Sequence, residues 1–354
     1  MERAGLRKAV CWRDCGPRIM RIAREIRWPC ARMKNFAMLV VLVLCLSGKT
    51  VLAAERTIVR FGHFPNITHA QALVAHHTSR TGNGWFEKRL GPDVEIQWFV
   101  YNAGPTAMEA IFADSIDLTY VVPSPALNAY ARSGGKEIRV IGGAAAGGAA
   151  LVVQSDDRIK TPADFRGKKI ATPEFGNTQD VACRVWLGAQ GFKITQLGGD
   201  AQVIPTANPD QLALFQRGGI DAVWTVEPWV SRLELEGKAK VYLEQKDAIT
   251  TVLICSTKFL NRHRDLATNL IKAHAELTAW INDHPAEAQE FARQELASET
   301  KRDFAPELIE RSWRRLRFVS EISRDPFDHF LSDAQKVGFL RESVDLSRLV
   351  EVPR

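Results

Sequence analysis

The chain has 354 residues, long for one domain and comfortable for two, with an ordinary soluble composition of 45% hydrophobic and 25% charged residues. Its formal charge of +6 is concentrated in residues 1–53, which hold eleven Lys/Arg and three acids, leaving 36 basic against 38 acidic side chains, net −2, in the remainder. A near-neutral body removes the basic-surface argument for nucleic acid.

The first 54 residues read as a leader. Met33-Lys34-Asn35 is a short positive region, and Phe36 to Leu46 is an apolar run of 11 residues, too short for a membrane span of about 20. Val51-Leu52-Ala53 supplies small residues before a cut at Ala54 or Glu55, so residues 33–54 predict a signal peptide and export to the periplasm. Residues 1–32 are either an over-extended gene start or a long basic leader, and both readings stay open. Leu42-Val43-Leu44 lacks the small residue that would make Cys45 a lipid anchor. Only Cys183 and Cys255 follow the leader, each in an apolar context that predicts a buried small side chain rather than a disulfide or metal ligand.

From Glu55 the chain alternates strands and helices with short turns, the pattern of an α/β protein. A strand over 56–62 leads to the loop His63-Phe64-Pro65-Asn66-Ile67, with Thr68 as the expected cap of the next helix. A second strand over 94–99 enters Asn102-Ala103-Gly104-Pro105, a turn that places Pro105 in the first turn of a helix over 106–113. A strand over 117–122 follows, and Pro123-Ser124-Pro125 opens another helix with Ser124 as expected N-cap. Loops after parallel strands lie at one sheet edge, so these helix N-termini would face one crevice, and their free N–H groups suit an anion. A strand over 138–141 precedes the small-residue segment 142–150, read as a place of close backbone approach.

A second αβ unit follows, with strands over 151–153, 168–171 and 220–224. Helices start after Thr161, after Gly176-Asn177-Thr178-Gln179-Asp180, at Pro209 and at Glu227-Pro228-Trp229. After a strand over 250–254 the remainder reads as amphipathic helix (266–282, 286–296, 306–316), with the basic run Arg311 to Arg317 as a solvated face.

Four stretches carry a family signature in order: GHFPNITHAQALVA, AGPTAMEAIFADSIDLTYVVPSPALNAYARSGG, TPADFRGKKIATPEFGNTQD and FQRGGIDAVWTVEPWVSRLE. Together they resemble the periplasmic solute-binding proteins of ABC importers for aliphatic sulfonates, taurine and nitrate. The resemblance implies a two-lobed type II binding-protein fold with two hinge strands and a helical C-terminal segment. It divides the chain into 55–146 with 252–354 as lobe one and 147–251 as lobe two. It implies a monomer that holds a small anionic solute in the cleft and docks on a membrane permease.

Carried over by position, the cleft loops are Phe64, Asn66 and Thr68; Asn102, Gly104 and Thr106; and Ser124. From the other lobe come Asn177, Thr178 and Gln179, with Glu227 and Trp229. GNTQD departs from the serine run that sulfonate binders often carry, which bears on the ligand rather than the fold. A sulfonate or nitrate is always ionised, so it needs donors and no proton transfer, and these loops contain no Arg or Lys to suit a phosphate ester. Glu227 would repel an anion unless it meets a ligand ammonium; its plainer role is at a helix N-terminus. Trp229 is either a wall for an organic tail or core packing.

His63, His69, His76 and His77 cluster in sequence, but without a fixed ligand spacing or a carboxylate partner they assign no metal. No cofactor motif, GxSxG, HExxH or catalytic triad stands out, so no enzyme is expected. The alternatives are nitrate, taurine or a heteroaromatic vitamin precursor on the same fold, and beyond these an enzyme resembling the thiamine-pyrimidine synthases, whose cysteine-rich motif is absent here.

Overall fold

The computed structural model describes residues 56–196 and 198–353. The leader reading lies outside these residues. Among the described residues, thirteen strands form two main sheets and a small hairpin. They are β1 Thr57–His63, β2 Val94–Val100, β3 Leu118–Val121, β4 Ile138–Gly147, β5 Ala149–Gln154, β6 Lys169–Thr172, β7 Ile194–Thr195, β8 Gly198–Gly199, β9 Gln202–Pro205, β10 Ala222–Val226, β11 Ala239–Gln245, β12 Ile249–Ser256 and β13 Leu316–Phe318. One sheet runs β13-β4-β12-β3-β1-β2 and the other β11-β5-β10-β6-β9; β7 pairs only with β8.

β1 is parallel to both β2 and β3, and β10 and β9 are both parallel to β6, so helices follow these strands at one edge of each sheet. β12 and β5 run antiparallel to their neighbours. Alternation in β1 puts Val59 and Phe61 inside and leaves Ile58 exposed. Phe61 stacks between Trp98 (5.0 Å) and Tyr120 (5.3 Å), which ties three adjacent strands through one aromatic row.

The chain crosses from the first sheet to the second between β4 and β5 and returns between β11 and β12. These two crossings give the two-lobed α/β fold with paired hinge strands. Gly147 and Gly148 make the first crossing at φ +79° and +73°. A Cβ on Gly147 would overlap the Arg315 carbonyl and lie 2.8 Å from that of Lys246, so both hinge connections and the C-terminal segment converge on this glycine.

The small-residue segment after Ile141 is a place of close backbone approach, as its sequence implies, and its residues 142–147 are the rest of β4, buried along their length. Its lack of side chains admits the 319–321 segment; a Cβ on Gly143 would overlap the Glu321 carbonyl. The expected helix over 306–316 stops at Trp313, and Leu316 begins β13, an edge strand on β4. The basic run around it is a solvated face only in part, with Arg314 and Arg317 exposed but Arg315 not. Arg315 is inserted between Glu227, Glu234 and Glu244 of the second lobe at 2.9, 2.8 and 3.4 Å, and Arg311 pairs with Glu234 at 3.1 Å. Cys183 and Cys255 are buried and free.

Candidate functional site

The cleft lies where the ends of β1, β2 and β3 meet the ends of β6, β9 and β10, outside the carboxyl ends of the strands. Each of these strands delivers a turn or helix start: Ile67–His69 with Ala70–Arg80, Gly104–Phe112 and Pro123–Arg132 from one lobe; Thr178–Ala189, Asn208–Gln216 and Trp229–Gly237 from the other. The lobes touch directly here. Ser124 N–H donates to Thr178 Oγ1 at 3.0 Å, and Gly104 N–H to Asn177 Oδ1 at 3.3 Å. Asn66 Oδ1 accepts from Trp229 Nε1 at 2.7 Å and from Asn208 Nδ2 at 3.4 Å, while Ile67 N–H donates to the Glu227 carbonyl at 3.0 Å.

These side chains do not cap their own helices. Thr68 sits inside a short 3-10 turn that runs into the helix Ala70–Arg80, whose N-cap is His69, and Ser124 is in the first turn of a helix whose N-cap is Val122. Asn177 is an N-cap by backbone only; its amide turns to the other lobe and to Gln179 Oε1 (2.7 Å). Capping, the ordinary use of such residues, is therefore not what holds them.

Among the described residues, several buried polar atoms around this cleft have no hydrogen-bond partner: Thr68 Oγ1, Ser124 Oγ, Gln179 Nε2 and His69 Nε2. All four side chains are almost fully buried. Gln179 Oε1 is already used by Asn177, so its free atom is the NH2 donor. His69 Nδ1 accepts from the Phe64 N–H (3.4 Å), and burial holds the ring's pKa well below its usual range; the neutral ring then carries its proton on Nε2. These four can all donate, as two hydroxyls, an amide and an imidazole N–H; nearby, Gln211 Oε1 and Glu174 Oε2 are unpartnered acceptors among the described residues. Leaving a buried donor unmet costs about 1–3 kcal/mol each.

The remaining sequence candidates are placed differently. Phe64 is buried against the His69 ring (4.5 Å). Trp229 is buried, its indole fixed by Asn66 and its edge near Phe304 (6.0 Å). Asn102 and Thr106 are exposed at the rim: Asn102 reaches the Pro173 carbonyl at 3.4 Å, and the Thr106 hydroxyl donates to its own turn at Ala103. Glu227 is fully buried, and its carboxylate accepts from Ser231 N–H, Ser231 Oγ, Ser312 Oγ and Arg315 within 3.0 Å. Burial pushes its pKa up, opposed by the Arg315 guanidinium and the Ser231 donors. That carboxylate is occupied at its own helix start and by lobe one. Sequence reasoning missed His69 and Asn208. Asn208-Pro209-Asp210 had the same turn-to-helix form as Gly104-Pro105-Thr106 and was a legible signal.

A family model described as "NMT1-like family" matches residues 52–296. A protein of Bacillus subtilis (strain 168) named "Putative aliphatic sulfonates-binding protein" is 25% identical over 271 residues, 74% of this chain and 77% of that one. The taurine-binding periplasmic protein of Escherichia coli (strain K12) is 27% identical over 200 residues, 56% of this chain and 60% of its own. The solved alkanesulfonate-binding protein of Xanthomonas axonopodis pv. citri, bound to MOPS, shares the fold with a TM-score of 0.65 at 21% identity, covering 84% of this chain and 98% of that one. The model match spans more than half of the chain, which belongs to the NMT1-like family.

Proposed function

We propose that this chain is the extracytoplasmic binding protein of an ABC importer, exported through a cleaved signal peptide, and that it captures a small organic oxyanion, an aliphatic sulfonate foremost. The observation that carries the reading is the unpartnered donor set: Thr68, His69 and Ser124 from one lobe, Gln179 from the other, all neutral and buried. A permanently ionised oxyanion offers several acceptor oxygens and no proton, which fits donors of this kind. The names of relatives that bind aliphatic sulfonates, taurine and nitrate support the same class. Taurine fits less well, because the Glu227 carboxylate that would meet its ammonium is engaged by four donors.

In this reading 55–146 with 252–354 form one lobe and 147–251 the other, and the solute draws them together by bonding to both. No group in the cleft is asked to perform chemistry; the closed monomer is the product delivered to the permease. A thermal-shift panel of short alkanesulfonates, taurine, nitrate and pyrimidines tests it, since a ligand of the folded state adds RT ln(1 + [L]/Kd) to stability. Saturable stabilisation by an alkanesulfonate is expected; stabilisation by pyrimidines alone would contradict the ligand class.

A further inference from the structure

His63 ends β1, immediately before the cleft loop, and its side chain is wholly buried. It meets His76 from the helix Ala70–Arg80 and Glu299 from the helix Pro285–Thr300. His63 Nε2, His76 Nδ1 and Glu299 Oε1 form a nearly equilateral triangle with edges of 3.2, 3.0 and 3.1 Å. Ligand atoms on one face of a tetrahedral ion with bonds of about 2.0–2.1 Å are separated by about 3.3 Å, so the three atoms stand close to coordination spacing. Glu295 stays outside the triangle: its Oε1 atom lies 3.4 Å from His76 Nδ1, and its other oxygen is held by Arg80 at 3.0 Å.

The surroundings match what metal sites need beyond their ligands. His63 Nδ1 lies 3.3 Å from the Phe64 carbonyl, and a proton donated there leaves Nε2 with its lone pair toward the triangle. In that tautomer a ring nitrogen lone pair and a carboxylate oxygen face each other at 3.1 Å, a contact satisfied either by a second ring proton donated from Nε2 to Glu299 or by a bound cation. Trp98 stacks on the His76 ring at 5.2 Å and meets His63 edge-on at 5.6 Å, which fixes both ring planes. The His76 side chain is 19% exposed, the most open of the set, and gives an entry path. Glu299 Oε2 is buried with no partner among the described residues.

We propose that His63, His76 and Glu299 bind a divalent first-row transition ion of the zinc class. The ion pins the C-terminal helix Pro285–Thr300 to the base of the Phe64–Thr68 loop. Two imidazoles and a carboxylate are a donor set for zinc-like ions and a poor one for calcium or magnesium. The site is separate from the oxyanion reading, and either stands without the other.

The test uses the full chain without a histidine tag, stripped with EDTA, dialysed and titrated with Zn(II), with metal content by mass spectrometry and melting temperature as readouts. One retained equivalent and a rise in melting temperature are expected. His76→Gln and Glu299→Gln should each weaken Zn(II) by about 100-fold while leaving the melting temperature in EDTA close to that of the parent. Zinc K-edge absorption on the parent covers the case of a variant that does not fold, and should show imidazole scattering with nitrogen and oxygen neighbours only. No retained zinc would overturn the proposal and leave an imidazolium–carboxylate cluster in its place. Retention unchanged by both substitutions, or a sulfur-containing shell, would overturn it by putting the ion elsewhere.

Discussion

The Ser124 backbone amide donates to the Thr178 hydroxyl at 3.0 Å, so the first turn of a helix in one lobe is bonded to the first residue of a helix in the other. Both side chains are buried, and neither caps its own helix. The bond exists only when the lobes are together. Thr178→Val keeps the shape and removes the acceptor, leaving a buried N–H unmet at a cost of about 1–3 kcal/mol to the closed form. Solute affinity is expected to fall roughly 5- to 150-fold, with little change in the urea midpoint without solute. A midpoint shift as large as the affinity loss would mean that Thr178 serves folding rather than closure.

Arg315 bridges Glu227, Glu234 and Glu244 across the lobes, and Glu227 has no exposure. Removing one partner of a buried pair costs about 3–5 kcal/mol, because the remaining charge is stranded. Arg315→Ala should therefore lower the unfolding free energy by about that amount in urea titrations. Arg311→Ala, whose partner Glu234 retains Arg315, should cost well under half as much.

At Gly147 a side chain meets two obstacles, a φ of +79° and the carbonyls of Arg315 and Lys246. Gly147→Ala is expected to destabilise by about 2 kcal/mol or more and to slow lobe closure. Gly167→Ala is a control, since that glycine has φ +73° but open space around its missing Cβ. Equal effects at both sites would show that backbone conformation alone, without crowding at the hinge, sets the cost.

His274 is buried in lobe one between the Tyr120 hydroxyl (2.9 Å) and the Gly143 carbonyl (2.7 Å). Burial lowers its pKa from 6.5 to about 4, with the Gly143 carbonyl opposing the shift. The unfolded chain takes up this proton below about pH 6.5 and the native chain only near 4, so stability falls as pH drops through that window. The total is of order 3 kcal/mol at one-proton slope, present in full only below about pH 4. His274→Gln should flatten this part of the urea-midpoint profile; an unchanged slope would assign the acid sensitivity to other groups.

Local signals made much of this legible. Prolines at 105, 123, 125 and 209 mark helix starts because they act on their own φ and N–H, and each lies in the first turn of a helix. Eight strands, alternating or continuous in apolar residues, were legible from their own local pattern, whereas β9, β11 and β13 were not. What stayed hidden depends on residues far apart in the chain. β13 is a three-residue edge strand, and Arg315 just before it looks solvated until Glu227, 88 residues earlier, is seen to face it. The segment 142–147 has low intrinsic strand preference and becomes β4 because β12 and β13 flank it. The histidines lacked a carboxylate in sequence; Glu299 comes to His76 across 223 positions.

The central claim is that the unpartnered donors of the cleft bind an oxyanion, and Ser124 isolates it. Its side-chain oxygen is buried without a partner among the described residues, while its backbone amide holds the interlobe bond whatever the side chain. Calorimetric titration of the parent and Ser124→Ala with a short alkanesulfonate separates the two roles. The parent should give saturable one-site heat, and the alanine variant should bind about 10-fold or more weakly with an unchanged melting temperature in the absence of solute. Equal affinity in parent and variant would contradict the account.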